Sequence, residues 1–245
     1  LSTGIFASMF GWNFPFLVWG LTGSFFICVY LIVLRYVRRC PPESKTASDV
    51  TLNAKWNKKT KASLRFTAFV SICVLHGAIY RTFINFTVLF LTDVVHLSPT
   101  DANYVFSLFV LSGVMGALLS SFIANRLGLR RALIVEFLAL SVCTLPLYMD
   151  FLRVLPAVLP LLILSGFTLY ATYPVIFSLA ADVTGFKRRG VSYGFIMSIT
   201  FIGGVVLSFV GGKLADLVSD ISIVYIVTAI IALCASSAAH VFSSE

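Results

Sequence analysis

Long uncharged apolar runs, separated by polar breaks, fill almost the whole chain. Leu1 to Leu34 carries no charge, and Phe66 to Thr92 is apolar except for Arg81. Ala102 to Asn125 is uncharged and Ala132 to Met149 is broken only by Glu136; Val154 to Ala181, Gly190 to Gly212 and Ile221 to His240 complete the series. A helix needs about 20 apolar residues to cross the hydrocarbon core, and each run is of that order. The runs are apolar all round and show none of the period-2 alternation of a membrane barrel. The pattern predicts an all-α integral membrane protein with seven transmembrane helices.

Composition agrees, at 59% apolar and 11% charged residues with a mean hydropathy of +0.98, against about 25% charged in an ordinary soluble domain. The net charge of +8 invites a nucleic-acid partner until its distribution is examined. Arg35, Arg38, Arg39, Lys45, Lys55, Lys58, Lys59, Lys61 and Arg65 lie between the first and second runs. Arg126, Arg130 and Arg131 lie between the third and fourth, and Lys187, Arg188 and Arg189 between the fifth and sixth, so alternate loops hold fifteen of the eighteen basic residues. Basic residues flanking spans stay on the cytoplasmic side. The amino end is therefore expected outside and the carboxyl end in the cytoplasm, in a multi-pass protein of the plasma membrane whose partner is the lipid bilayer and not nucleic acid. Cys28, Cys73, Cys143 and Cys234 fall inside apolar runs and Cys40 among arginines, which suits small hydrophobes better than disulfides or a metal site.

The break at 35–65 is rich in Lys, Ser, Thr and Asn and contains Pro41-Pro42, the composition of a linker. It divides a single span, 1–34, from a block of six spans, 66–245. No methionine opens the chain and the first span enters from the outside face, so a fragment with a missing upstream part is expected. Inside the block, laying the sixth run on the third with an offset of 91 residues sets Ser112 on Gly203, Gly113 on Gly204, Ala117 on Ser208, Ser120 on Gly211 and Ser121 on Gly212. Small residues recur every four positions, as in Ser112, Gly116, Ser120 and in Gly204, Ser208, Gly212, forming stripes where another backbone can approach closely. Gly113, Gly116, Gly204, Ser208 and Gly212 are the candidate packing positions. The two runs are expected to cross in opposite directions, so the block reads as two inverted three-helix repeats, an arrangement of secondary transporters.

The turn Ser121-Phe122-Ile123-Ala124-Asn125-Arg126-Leu127-Gly128-Leu129-Arg130-Arg131 resembles the G-x-L-A-D-R-x-G-R-R signature of the major facilitator superfamily. Ala124, Arg126, Gly128 and Arg130 fit, while Ser121, Asn125 and Leu129 replace the usual Gly, Asp and first closing basic residue. Asp182 through Arg189-Gly190, leading into a Gly-rich run, and Gly11-Trp12 ahead of Phe14-Pro15-Phe16 are similar to further features of the superfamily. The resemblance implies that 1–34 is the last helix of an amino-terminal half otherwise missing, 35–65 the central linker and 66–245 the carboxy-terminal six-helix transport bundle. The second and fifth runs would then line a central cavity and the third and sixth face the other half. The implied function is secondary active transport of a small solute by alternating access.

Arg81 lies 15 residues beyond Phe66, about 22 Å along a helix at 1.5 Å per residue. An Arg so deep costs roughly 2.5–3.5 kcal/mol on insertion scales and should face a cavity or partner. Gly77 and Asn85 share its face by four-residue spacing. A planar fork beside an amide suits a carboxylate or phosphate, so the expected substrate is an organic or phosphorylated anion, with Tyr170 and Tyr173 as the second wall. Ser121, Asn125, Arg126, Gly128, Arg130 and Arg131, with Asp182, Arg189 and Gly190, form a candidate cytoplasmic latch in which Gly128 permits the tight turn. Glu136 has Arg131 and Arg130 nearby as possible ion-pair partners, but packing within an outer helix is its expected setting, and His76 is expected to be a hydrogen-bonded helix residue. No carboxylate stands mid-membrane in the second or fifth run, so a proton-coupling acid would come from the missing half or be replaced by His76. With no phosphate loop, metal-binding His pair or nucleophile beside a base, neither enzyme activity nor a cofactor nor a metal is expected. The rival reading, a seven-helix receptor or retinal-type protein, lacks a lysine midway along the last run and leaves the long basic loop after the first span unexplained.

Overall fold

The computed structural model describes residues 21–22, 24–25, 27–29, 59–184 and 189–243. The chain divides into two compact units, Leu1–Asn57 and Lys58–Glu245. In the first unit the described residues are helical; the rest of the expected first span and residues 35–57 lie outside the described residues. In the second unit the described residues form α1 (Lys59–Asp93), α2 (Pro99–Leu127), α3 (Leu129–Thr144), α4 (Leu155–Thr184), α5 (Arg189–Val218) and α6 (Ile223–Ser243), with 3-10 turns at Leu145–Tyr148 and Asp150–Leu152. Six spans are thus long and apolar enough to cross a membrane among the described residues, and the first of the seven expected lies mostly outside them.

Polar chemistry, more than hydropathy, sets the helix ends. α1 starts at Lys59, inside the stretch expected as linker, because no Gly or Pro interrupts residues 43–76 and Lys, Ala and Leu are good helix formers. α2 starts at Pro99, where proline suits the first turn; the Ser98 hydroxyl accepts from the Asp101 N–H at 3.2 Å and donates to Asp101 Oδ2 at 2.7 Å. α3 stops at Thr144, short of Met149, because Pro146 lacks the amide to continue it and the chain tightens into 3-10 turns. Gly128, at φ +81°, closes α2 and opens α3, a conformation costly for any residue with a Cβ.

α2 runs along α4 and α1 along α5, while α3 packs on α6 and α4, and α6 also on α1. Apolar side chains gain little by exchanging lipid for protein, so membrane helices associate through close packing and hydrogen bonds. Both occur. A Cβ on Gly116 would strike the Phe167 backbone and one on Gly166 the Phe109 carbonyl; on Gly77 it would strike the Thr200 carbonyl and on Gly203 the Val74 carbonyl. Ser141 donates to the Ala229 carbonyl at 3.0 Å and Ser236 to the Ile134 carbonyl at 3.3 Å, tying α3 to α6. Phe69, Phe83, Phe90, Phe109, Phe137 and Tyr225 fill the core, and the Tyr225 hydroxyl reaches Thr87 Oγ1 at 3.2 Å.

The small-residue stripes of α2 and α5, which the resemblance turned towards another half, are taken up within this bundle, against α4 and α1. Gly212 stands apart, since a Cβ there would meet nothing within 4 Å. The outward faces carry large exposed side chains instead, among them Leu111, Leu118 and Phe122 on α2 and Ile202, Val205 and Phe209 on α5.

Candidate functional site

Gly77, Arg81 and Asn85 stack on one face of α1, and α5 seats each in turn. Gly77 lies against Thr200 and brings the two backbones together. One turn on, the Arg81 stem crosses Gly204, where a Cβ would collide with Arg81 Cγ and lie 3.1 Å from its Cβ. A further turn on, Asn85 Nδ2 donates to Ser208 Oγ at 2.8 Å, and that hydroxyl donates to the Gly204 carbonyl at 2.8 Å. The Arg81 guanidinium carbon lies 4.7 Å from the centroid of the Phe201 ring, a cation–π arrangement. Arg81 is half-buried and Asn85 exposed. Among the described residues no carboxylate pairs with Arg81.

α4 supplies the facing aromatic cluster. Tyr170 rests on Gly113, a Cβ on which would come within 2.6 Å of the ring. Tyr80 stands edge-on to both Tyr170, at 5.8 Å between centroids, and Tyr173, at 5.4 Å, and Arg81 is within electrostatic reach of the Tyr173 hydroxyl. His76 stands edge-on to Tyr173 at 4.4 Å. Its Nε2 is buried, with no hydrogen-bond partner among the described residues. The structure therefore brings Gly77, Arg81, Asn85, Ser208 and Gly204 together on the α1–α5 side, and Tyr170 and Tyr173 together with Gly113 on the α4–α2 side. Tyr80 and Phe201 were not singled out from the sequence. Tyr80 adjoins Arg81 and carries that signal, but in a chain with 14% aromatic residues it did not stand out.

At the α2–α3 turn, Ser121, Asn125, Arg126, Gly128 and Arg131 are exposed. Arg126 stacks on Phe122 of its own helix at 4.5 Å and Arg130 on Phe242 of α6 at 5.0 Å. Asp182, Arg189 and Gly190 lie on α4 and α5 by backbone, and their side chains lie outside the described residues. Glu136 is buried, and among the described residues neither of its oxygens has a hydrogen-bond partner. Arg131 and Arg130, five and six residues before it on the helix, face other ways, so the packed setting holds and the alternative ion pair does not form.

At the opposite end of the bundle, Arg153 Nη2 meets Asp220 Oδ2 at 2.6 Å and Asp150 Oδ1 at 2.9 Å, joining the α3–α4 and α5–α6 connections. Partial burial pushes the Asp220 carboxyl up, but the Ser222 N–H, at 2.8 Å from Oδ1, and the Arg153 guanidinium outweigh it and hold the carboxyl below its ordinary value.

Six long apolar helices around a polar, half-buried face define a multi-pass helical membrane protein. A family model described as Major Facilitator Superfamily matches residues 1–149 and 69–243. The chain belongs to that superfamily and is a membrane transporter of small solutes, which disfavours the seven-helix receptor reading. Comparison with curated proteins gives no match.

Proposed function

We propose that this chain is the last amino-terminal-half helix, the linker and the carboxy-terminal bundle of a secondary active transporter, that it moves a small organic or phosphorylated anion by alternating access, and that Arg81 receives the anion. The bundle is read as two inverted repeats, α1–α3 and α4–α6, and contacts that recur in pairs support this. Shifting Gly77 by +89 gives Gly166, and shifting Thr200 by −91 gives Phe109; the two glycines abut the carbonyls of Thr200 and Phe109 respectively. The same shifts turn Gly203 on the Val74 carbonyl into Ser112, which donates to the Ile163 carbonyl at 2.9 Å. A shift of 95 turns the Ser141–Ala229 bond into the Ser236–Ile134 bond.

Arg81 over Gly204 becomes, by the same shifts, Tyr170 over Gly113, and this observation carries the reading. The seat is a glycine beneath a long side chain, and tyrosine fills it in one repeat, so packing alone does not call for a cation. A charge that packing does not need, deep in the apolar run and without a carboxylate partner among the described residues, calls for a ligand. The guanidinium offers a bidentate clamp, Asn85 an amide one turn away, and the tyrosines an amphipathic wall. The latch at the α2–α3 turn and the orientation with a cytoplasmic carboxyl end, in the plasma membrane, belong to the same reading.

The test is uptake of labelled carboxylates and phosphate esters by vesicles holding the full-length protein. Arg81→Lys keeps the charge but loses the fork and should weaken apparent affinity; Arg81→Gln should weaken it further. A charged hydrogen bond is worth about 1.5–3 kcal/mol, roughly a 10- to 100-fold loss, with protein level measured separately. Unchanged affinity in Arg81→Gln, or a cationic substrate, would reduce Arg81 to a structural role.

A further inference from the structure

Glu136 stands seven residues beyond Leu129, the start of α3, about 10 Å along the helix, and is only 4% exposed. It is the one buried carboxylate among the described residues, and neither oxygen has a hydrogen-bond partner. Its own helix offers Arg130 and Arg131, but the first lies on Phe242 and the second is exposed. The helices around α3 carry His76 of α1, 6.3 Å from the Phe137 ring, Tyr170 and Tyr173 of α4, and Tyr225 and the exposed Cys234 and His240 of α6. None of these hydrogen-bonds or ion-pairs with Glu136, and the side chain of Asp182 lies outside the described residues. His76 Nε2, beside Phe137, is likewise buried without a partner. A desolvated carboxylate with no partner is strongly disfavoured and takes up a proton instead.

We propose that Glu136 is a proton-binding site within the transport bundle. It holds a proton while α3 is packed as it is here, and gives it up when a rearrangement opens its oxygens to water. One O–H bond is made or broken, the proton comes from or returns to water, and no electron moves. The site stands on a different helix from Arg81 and does not depend on the anion assignment. Its burial among packed helices also makes it responsive to any change in how α3 lies on α4 and α6.

The experiment needs no transported substrate, since the proton is the probe. Infrared difference spectra of the full-length protein in lipid vesicles are recorded between mildly alkaline and mildly acidic buffer. A protonated-carboxyl stretch should grow on acidification, shift in heavy water and be lost in Glu136→Gln, while the thermal midpoint of that variant is kept. An unchanged difference spectrum in Glu136→Gln would overturn the proposal. Should Glu136→Gln not fold, amide exchange across α3 of the unaltered protein decides, once corrected for the intrinsic pH dependence of exchange. A rise in exchange around Glu136 with pH supports the site, and exchange independent of pH overturns it.

Discussion

Alanine at two glycines of the same bundle should change stability in opposite directions. At Gly116 a Cβ would fall on the Phe167 carbonyl oxygen, 2.8 Å from the carbonyl carbon and 3.0 Å from Cα. All three are backbone atoms, so no change of rotamer relieves the clash. Heavy-atom contacts are ordinary from about 3.5 Å, and the carbonyl oxygen is the nearest of the three, so α2 and α4 must part by on the order of an ångström or more. Overpacking of this kind costs about 1–3 kcal/mol, and the helix preference of alanine returns about 1 kcal/mol, leaving a net loss of up to about 2 kcal/mol. At Gly212 a Cβ meets nothing within 4 Å, so the helix preference acts alone and Gly212→Ala should gain up to about 1 kcal/mol. The assay is thermal unfolding of the purified full-length protein in detergent, where 1 kcal/mol corresponds to roughly 2–4 °C in a chain of this size. Gly116→Ala should melt several degrees below Gly212→Ala, and Gly203→Ala, against the Val74 carbonyl, should follow Gly116→Ala. Equal midpoints would mean that α2 and α4 do not meet at backbone level and that these small residues are not packing seats.

Cysteine placed at Lys55 or Arg188 should react only with reagents admitted to the cytoplasm, and at Asp101 with external ones; the reverse labelling would overturn the orientation. The Arg153–Asp220 pair makes an acid-dependent contribution to stability. Because the Asp220 carboxyl is held below its ordinary value, that contribution is full above the ordinary carboxylate range, near about pH 4, and fades as pH falls through and below it. With both side chains about a quarter exposed, it is worth at most about 1 kcal/mol. Arg153→Gln should therefore melt slightly lower at neutral pH and lose less on acidification than the unaltered protein, and parallel pH profiles would count against the pair.

The number and order of the helices in 59–243 were legible because hydrocarbon demands long apolar runs and leaves few other ways to satisfy the backbone. Their ends were less so. Hydropathy says nothing of Ser98 capping through Asp101, of Pro146 ending α3, or of Lys59 to Arg65 continuing a helix although they are charged. The depth of Arg81 was plain from its place in the run, but its seat was not, because Gly204 and Phe201 lie more than a hundred residues away and periodicity names a face without naming what covers it. Glu136 shows a different limit. Its packed setting was legible, but nearness in sequence to Arg130 and Arg131 also offered an ion pair that helical geometry separates.

The small residues teach a sharper lesson about reading function from stripes. Gly113 and Gly204 were legible as places where something approaches closely, and in the structure what approaches is the side chain of Tyr170 or Arg81, from within the same bundle. A glycine stripe therefore serves two ends at once. It lets α1 and α5, and α2 and α4, touch at backbone level, and it fixes where the long side chains that cross it must lie. The outward faces of α2 and α5, by contrast, present leucine, isoleucine, valine and phenylalanine, side chains without a strongly preferred partner in lipid or protein. Whatever moves against those faces slides over large apolar groups. If Arg81 receives the anion and the bundle rocks, as proposed above, the tight contacts that hold Arg81 in place can persist through the motion, as such a residue would require.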